Sequence, residues 1–156
     1  MTKKYLVVDD NDLIRNLLCF LFSDQADVMT AQNGQEALEL VKAQPFDIVL
    51  TDYSMPVMNG IEFLEQARES DNDIYAHSLL LTGSIDAEVR LFSERNEIPL
   101  IPKPFSVLKL KEAVNALLAG TSGKQAYERR SLSEENIRLR RSFSSLPAGN
   151  YSQPWG

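Results

Sequence analysis

Tyr5-Leu6-Val7-Val8-Asp9-Asp10-Asn11-Asp12 is a compact apolar run cut off by a cluster of acids. Four consecutive apolar residues without alternation mark a strand buried on both faces, the habit of a parallel sheet. A helical pattern follows at once, because Leu13, Ile14, Leu17, Leu18 and Leu21 recur at spacings of three and four. Strand, polar turn and helix in direct succession form the half-unit of an α/β fold. A dinucleotide-binding fold needs a glycine-rich first turn, and the acids from Asp9 to Asp12 argue against one.

The same unit repeats along the chain. Residues 27–31 hold a weaker strand, Asn33-Gly34 a turn, and Ala37, Leu38 and Val41 a helix that must stop near Pro45. Residues 47–51 form a third strand, and a loop with Met55-Pro56 and Asn59-Gly60 leads to a helix carrying Ile61, Phe63, Leu64 and Ala67. Residues 78–82 are the fourth strand and 86–95 the fourth helix. Residues 98–101 are a short fifth strand bordered by prolines. Ser106 caps a last helix whose apolar positions are Leu108, Leu110, Val114, Leu117 and Leu118, with Gly120 as its stop. Five such repeats require parallel strands with helices on both faces. Pro99 and Pro102 cannot both serve a central ladder, so the fifth strand belongs at an edge. The expectation is an α/β, flavodoxin-like, doubly wound (βα)5 domain with strand order 2-1-3-4-5, spanning residues 1–120.

The chain has 156 residues, 44% of them hydrophobic and 24% charged, an ordinary balance for one soluble domain with an extension. No stretch is apolar enough to cross a bilayer, and the first residues lack the pattern of a signal peptide. A single cysteine, Cys19, forbids an internal disulfide, and among its leucine neighbours it is read as a small buried hydrophobe. A cytoplasmic location follows. Residues 1–120 carry 10 Lys/Arg against 19 Asp/Glu, an acidic body that argues against a nucleic-acid surface. Residues 121–156 reverse the sign and are rich in Ser and Arg, so they are expected to form a largely disordered tail or linker. Ser133 could cap two helical turns there.

Ligands of open parallel sheets bind at the carboxyl ends of the strands. In this chain those ends carry Asp9 and Asp10, Asp52, Thr82 and Lys103. Three carboxylates at one rim repel each other unless a cation compensates, and Mg²⁺ with its preference for oxygen suits that place. Lys103 would add a point charge on a long stem. A carboxylate so placed can attack phosphorus and form an acyl phosphate, while metal and lysine stabilise the transferred charge.

The motifs Val7-Val8-Asp9-Asp10, Asp52-Tyr53-Ser54-Met55-Pro56 with Asn59-Gly60, Leu81-Thr82-Gly83 and Lys103-Pro104-Phe105 resemble the receiver domain of two-component response regulators. The resemblance covers roughly residues 3–119. It implies Asp52 as phosphoacceptor, Asp10 as direct Mg²⁺ ligand, Asp9 acting largely through water, and Ser54 giving its backbone carbonyl to the metal. Thr82 would be the switch hydroxyl, Gly83 the small residue leaving room for the phosphate, and Lys103 the characteristic lysine before a commonly cis bond to Pro104. A histidine kinase or phosphotransfer protein would be the donor, and an unidentified protein the downstream target. A homodimer is left open. The sequence departs from the family where an aromatic often stands three residues before the lysine, for that position is Leu100.

Competing readings are weaker. A phosphorylation-independent docking module, or a receiver fragment of a larger regulator, keeps the fold, but the first makes no use of the acids and lysine. An aspartyl phosphatase would want a second Asp where Ser54 stands. His77, the one histidine, precedes the fourth strand and is expected to be exposed, too isolated for a metal or a triad. Residues 121–156 are expected to be too few for a common DNA-binding output domain. The basic segment 129–141 is a candidate for partner recognition.

Overall fold

Strand and helix alternate in the order the apolar pattern predicts. β1 (Lys3–Val8) leads to α1 (Asp12–Phe22), β2 (Ala26–Ala31) to α2 (Gly34–Ala43), and β3 (Ile48–Asp52) to α3 (Gly60–Ala67). A turn of 3-10 helix (Ile74–His77) precedes β4 (Ser78–Thr82), which leads to α4 (Ala87–Asn96), β5 (Leu100–Pro102) and α5 (Val107–Leu118). The structure, a computed structural model, describes residues 1–120. The expectations for residues 121–156 lie outside the described residues.

The strands form one sheet in the order β2-β1-β3-β4-β5, every neighbouring pair parallel. Successive strand residues point to opposite faces, which splits the core in two. Leu6, Val8, Val49 and Leu80 pack against Ala37, Leu38, Phe63, Leu64 and Val89 of α2, α3 and α4. Tyr5, Val7, Ile48, Leu50, Leu79 and Leu81 pack against Leu18 and Phe22 of α1 and Leu110, Val114 and Leu117 of α5. Tyr5 meets Phe22 edge-on, ring centroids 5.5 Å apart.

All five α-helices among the described residues begin on side-chain caps. Asn11, Asn33, Asn59, Asp86 and Ser106 each accept a hydrogen bond from a backbone N–H of the first turn. At Asn59 the exchange is reciprocal, since Glu62 reaches back to the Asn59 N–H at 2.9 Å. These caps fix the loops at the carboxyl rim of the sheet, where the candidate site lies.

Four expectations need correction. On α1 the docked arc is Ile14, Leu18, Leu21 and Phe22, whereas Leu13 and Phe20 are each 78% exposed and Leu17 is 40% exposed. Apolar residues run nearly all round this helix, so periodicity alone could not select the buried arc. Cys19 is accordingly only half-buried. On α5, Leu108 and Leu118 face solvent, and Ala113 takes a core position. β5 is shifted to Leu100–Pro102, Pro102 standing opposite Thr82 where an edge strand tolerates a missing donor.

Glu97 ends α4 in the left-handed region, at φ 54°. A glycine avoids the side-chain clash there, at some entropic cost in the unfolded chain. Glu97→Gly is expected to raise stability by about 0.5–1 kcal/mol, seen as a higher urea midpoint at unchanged slope.

Candidate functional site

β1 and β3 lie side by side, so Asp9, just after β1, and Asp52, at the end of β3, come to one rim with both carboxylates buried. Asp10 is exposed beside them. Carboxylate oxygens of Asp9, Asp10 and Asp52 all lie within 4.8 Å of one another. Lys103 reaches over from the loop after β5, its Nζ 2.5 Å from Asp9 Oδ2 and 3.2 Å from Asp52 Oδ2.

Local hydrogen bonds aim these groups. The Asn11 N–H donates to Asp9 Oδ1 at 2.9 Å, and Arg15 donates to the Asp9 carbonyl at 2.6 Å while pairing with Asp12. The Ser54 N–H donates to Asp52 Oδ1 at 3.3 Å. Thr82 is fully buried at the end of β4, and its hydroxyl donates to the Ser84 carbonyl at 2.8 Å. The Ser84 N–H returns a bond to Thr82 Oγ1 at 3.2 Å. A Cβ built on Gly83 would meet nothing within 4 Å, so packing does not demand glycine there. Lys103–Pro104 is cis.

Burial pushes the Asp52 carboxyl above the usual aspartate range. The positive charge of Lys103 pulls the other way, and the negative charge of Asp9 adds to the rise. Burial alone would depress Lys103, but its bond to Asp9 and the charge of Asp52 outweigh this and hold the ammonium above its ordinary value. The cluster therefore contains a captive cation facing two buried carboxylates. Its oxygens are of the kind a hard divalent ion takes, and Asp9, Asp10 and Asp52 are close enough together to hold one.

A group with a raised folded pKa favours folding in acid, and that contribution is lost as pH rises through the folded value. In metal-free buffer Asp52→Asn is expected to raise the melting temperature near pH 7. The gain should vanish as pH falls below about 3.9, the ordinary aspartate value. Thermal unfolding across that range checks it.

His77 lies at the other end of β4. It is half-buried rather than exposed, with Nε2 3.0 Å from Asp71 Oδ2. The 3-10 turn, which the pattern does not reveal, folds it inward. Leu100 is also half-buried, packed on the layer beneath α4. Two contacts escaped the sequence reading: the Ser84 tether on Thr82, and a hydrogen bond from Tyr53 Oη to Glu88 Oε2 at 2.7 Å. Only the position of Tyr53 beside Asp52 could have drawn notice to the second.

Residues 5–115 match the family model of the response regulator receiver domain. The chain belongs to this family. It is 37% identical over 111 residues to a response regulator receiver protein of Anaeromyxobacter, covering 69% of this chain but 45% of that one. It is 31% identical over 117 residues to a probable chemotaxis protein CheY of Rhizobium etli, covering 73% of this chain and 91% of that one. A crystal structure of a CheY-like receiver domain from Methanospirillum hungatei superposes with a TM-score of 0.71 at 26% identity, covering 76% of this chain and 95% of that one. The protein is thus a receiver domain of two-component signalling with the CheY-like fold. Among the described residues no helix is long and apolar enough to cross a membrane.

Proposed function

We propose that this receiver domain is a Mg²⁺-dependent switch that accepts a phosphoryl group on Asp52 from a phosphohistidine of a histidine kinase or phosphotransfer protein. One observation carries the reading: Asp52, Asp9 and Lys103 meet at the carboxyl rim of the sheet, with Lys103 Nζ in reach of both carboxylates. An Asp52 oxygen attacks phosphorus, the bond from phosphorus to the imidazole nitrogen breaks, and the nitrogen keeps the electron pair. An acyl phosphate on Asp52 results.

Asp9, Asp10, Asp52 and the Ser54 carbonyl would hold Mg²⁺, which when bound supplies positive charge to the transferring phosphoryl oxygens. Lys103 already sits on Asp52 and takes up a new phosphoryl oxygen as charge builds there. Thr82 turns its hydroxyl from Ser84 to another oxygen, and the open space over Gly83 admits the group. Residues 1–120 are the working unit in this reading, acting in the cytoplasm through contacts with a downstream protein. Residues 121–156 serve as a basic tail or linker.

Incubation with acetyl phosphate and Mg²⁺ should add one phosphoryl group by intact mass, and Asp52→Asn should abolish it. No adduct, or an adduct that survives in Asp52→Asn, overturns the assignment. In the first case the fold serves as a docking module.

A further inference from the structure

Tyr53 directly follows Asp52, and its backbone has little slack. Its N–H donates to the Leu81 carbonyl at 3.3 Å, and its own carbonyl accepts from the Gly60 N–H at 2.9 Å. The acceptor segment is thus tied to β4 on one side and to the start of α3 on the other. Its side chain crosses to another element, where Tyr53 Oη donates to Glu88 Oε2 at 2.7 Å in the first turn of α4.

A second line joins the same two places. The Thr82 hydroxyl holds Ser84 through its carbonyl and its N–H, and residues 83–86 then run into α4 at its Asp86 cap. Turning Thr82 toward Asp52 breaks both bonds to Ser84 and lets this short loop move. The loop ends on the Asp86 cap, two residues before Glu88, so a displaced loop pulls directly on the start of α4. The bond is solvent-exposed, and it lasts only while the Glu88 carboxylate stays within reach of a phenol whose backbone is pinned. Leu100, on the same core layer, has no polar tip with which to take part.

We propose that the Tyr53–Glu88 hydrogen bond is a latch that holds α4 in its resting position and opens when Asp52 is phosphorylated. The inference rests on Asp52 being the acceptor and names how its state reaches α4. Tyr53 and Glu88 act as positioning residues. Linkage is reciprocal: a contact that stabilises the resting form must weaken whatever stabilises the other form.

The test uses the full chain with Mg²⁺ and beryllofluoride, which stands in for a phosphoryl group on a carboxylate. It reads the affinity and the hydrogen exchange of amides 89–93, the first in α4 with hydrogen-bond partners. In the wild type, beryllofluoride should speed exchange at these amides at least about threefold. In Tyr53→Phe, which keeps the ring, exchange should already be fast without beryllofluoride and change little on its addition. Beryllofluoride should bind that variant about three- to tenfold more tightly. Glu88→Ala should behave alike, and the double variant should go no further than either single one. Glu88→Gln keeps an acceptor oxygen and should restore the wild-type exchange response.

A Tyr53→Phe chain with the wild-type response and affinity overturns the latch, as do additive effects in the double variant. Absence of beryllofluoride binding by the wild type, or equal binding by Asp52→Asn, overturns the acceptor reading itself. The two failures are therefore told apart.

Discussion

Replacing Lys103 with alanine is expected to slow formation of the Asp52 phosphoryl adduct by about 100- to 1000-fold, the scale seen when one preorganised donor is removed from a reacting oxyanion. Lys103 Nζ lies 3.2 Å from Asp52 Oδ2 before any reaction, so its charge is in place at no cost of reorganisation. Removing it also leaves Asp9 and Asp52 as buried carboxylates facing each other, and pushes the Asp52 pKa further in the direction burial already drives it. Arginine should not rescue the rate, because its planar fork cannot reproduce a compact ammonium between two single oxygens. A time course of intact mass with acetyl phosphate and Mg²⁺ reads the effect, with circular dichroism as the check on folding. A rate within tenfold of the wild type would remove Lys103 from the mechanism.

Gly60→Ala should be the most damaging methyl that can be added near the site, at about 3 kcal/mol or more. A Cβ at this position would overlap the Asp52 carbonyl oxygen and come within 3.0 Å of its carbonyl carbon and 3.1 Å of Tyr53 Cα. These are backbone atoms of the acceptor segment, so no rotamer change relieves the overlap. The Gly60 N–H also donates to the Tyr53 carbonyl, and α3 cannot back away without breaking that bond. Gly83→Ala is the control, since its Cβ enters open space and stability should hold within about 0.5 kcal/mol. Urea unfolding of both variants decides between them. Equal midpoints would show that α3 can shift to accept the methyl.

Much of this molecule is legible in its sequence. Tyr5 to Val8 announced a strand buried on both faces, and the structure leaves none of these four residues more than 1% exposed. The prolines around β5 placed it at the sheet edge, where it stands. The acids and Lys103 could be gathered at one rim because parallel topology puts every strand's carboxyl end on the same side. Other features left no such trace. α1 is apolar on most of its circumference, so which arc docks depends on the neighbouring strands and not on the helix. The inward fold of His77 depends on a single 3-10 turn without periodicity. The Tyr53–Glu88 bond joins residues 35 positions apart by side-chain reach alone.

Among the described residues the two core layers share no side chain, because the sheet stands between them. This gives the sequence a grammar of its own. Substitutions that repack α1 and α5 are answered by Leu18, Phe22, Leu110 and their partners, and those that repack α2, α3 and α4 by Phe63, Leu64 and theirs. Mutations on opposite faces should sum, and mutations on one face should interfere. The protein can therefore drift on one side while the other keeps its shape. What both sides must preserve in common is the row of strand ends on which Asp9, Asp52 and Thr82 are mounted.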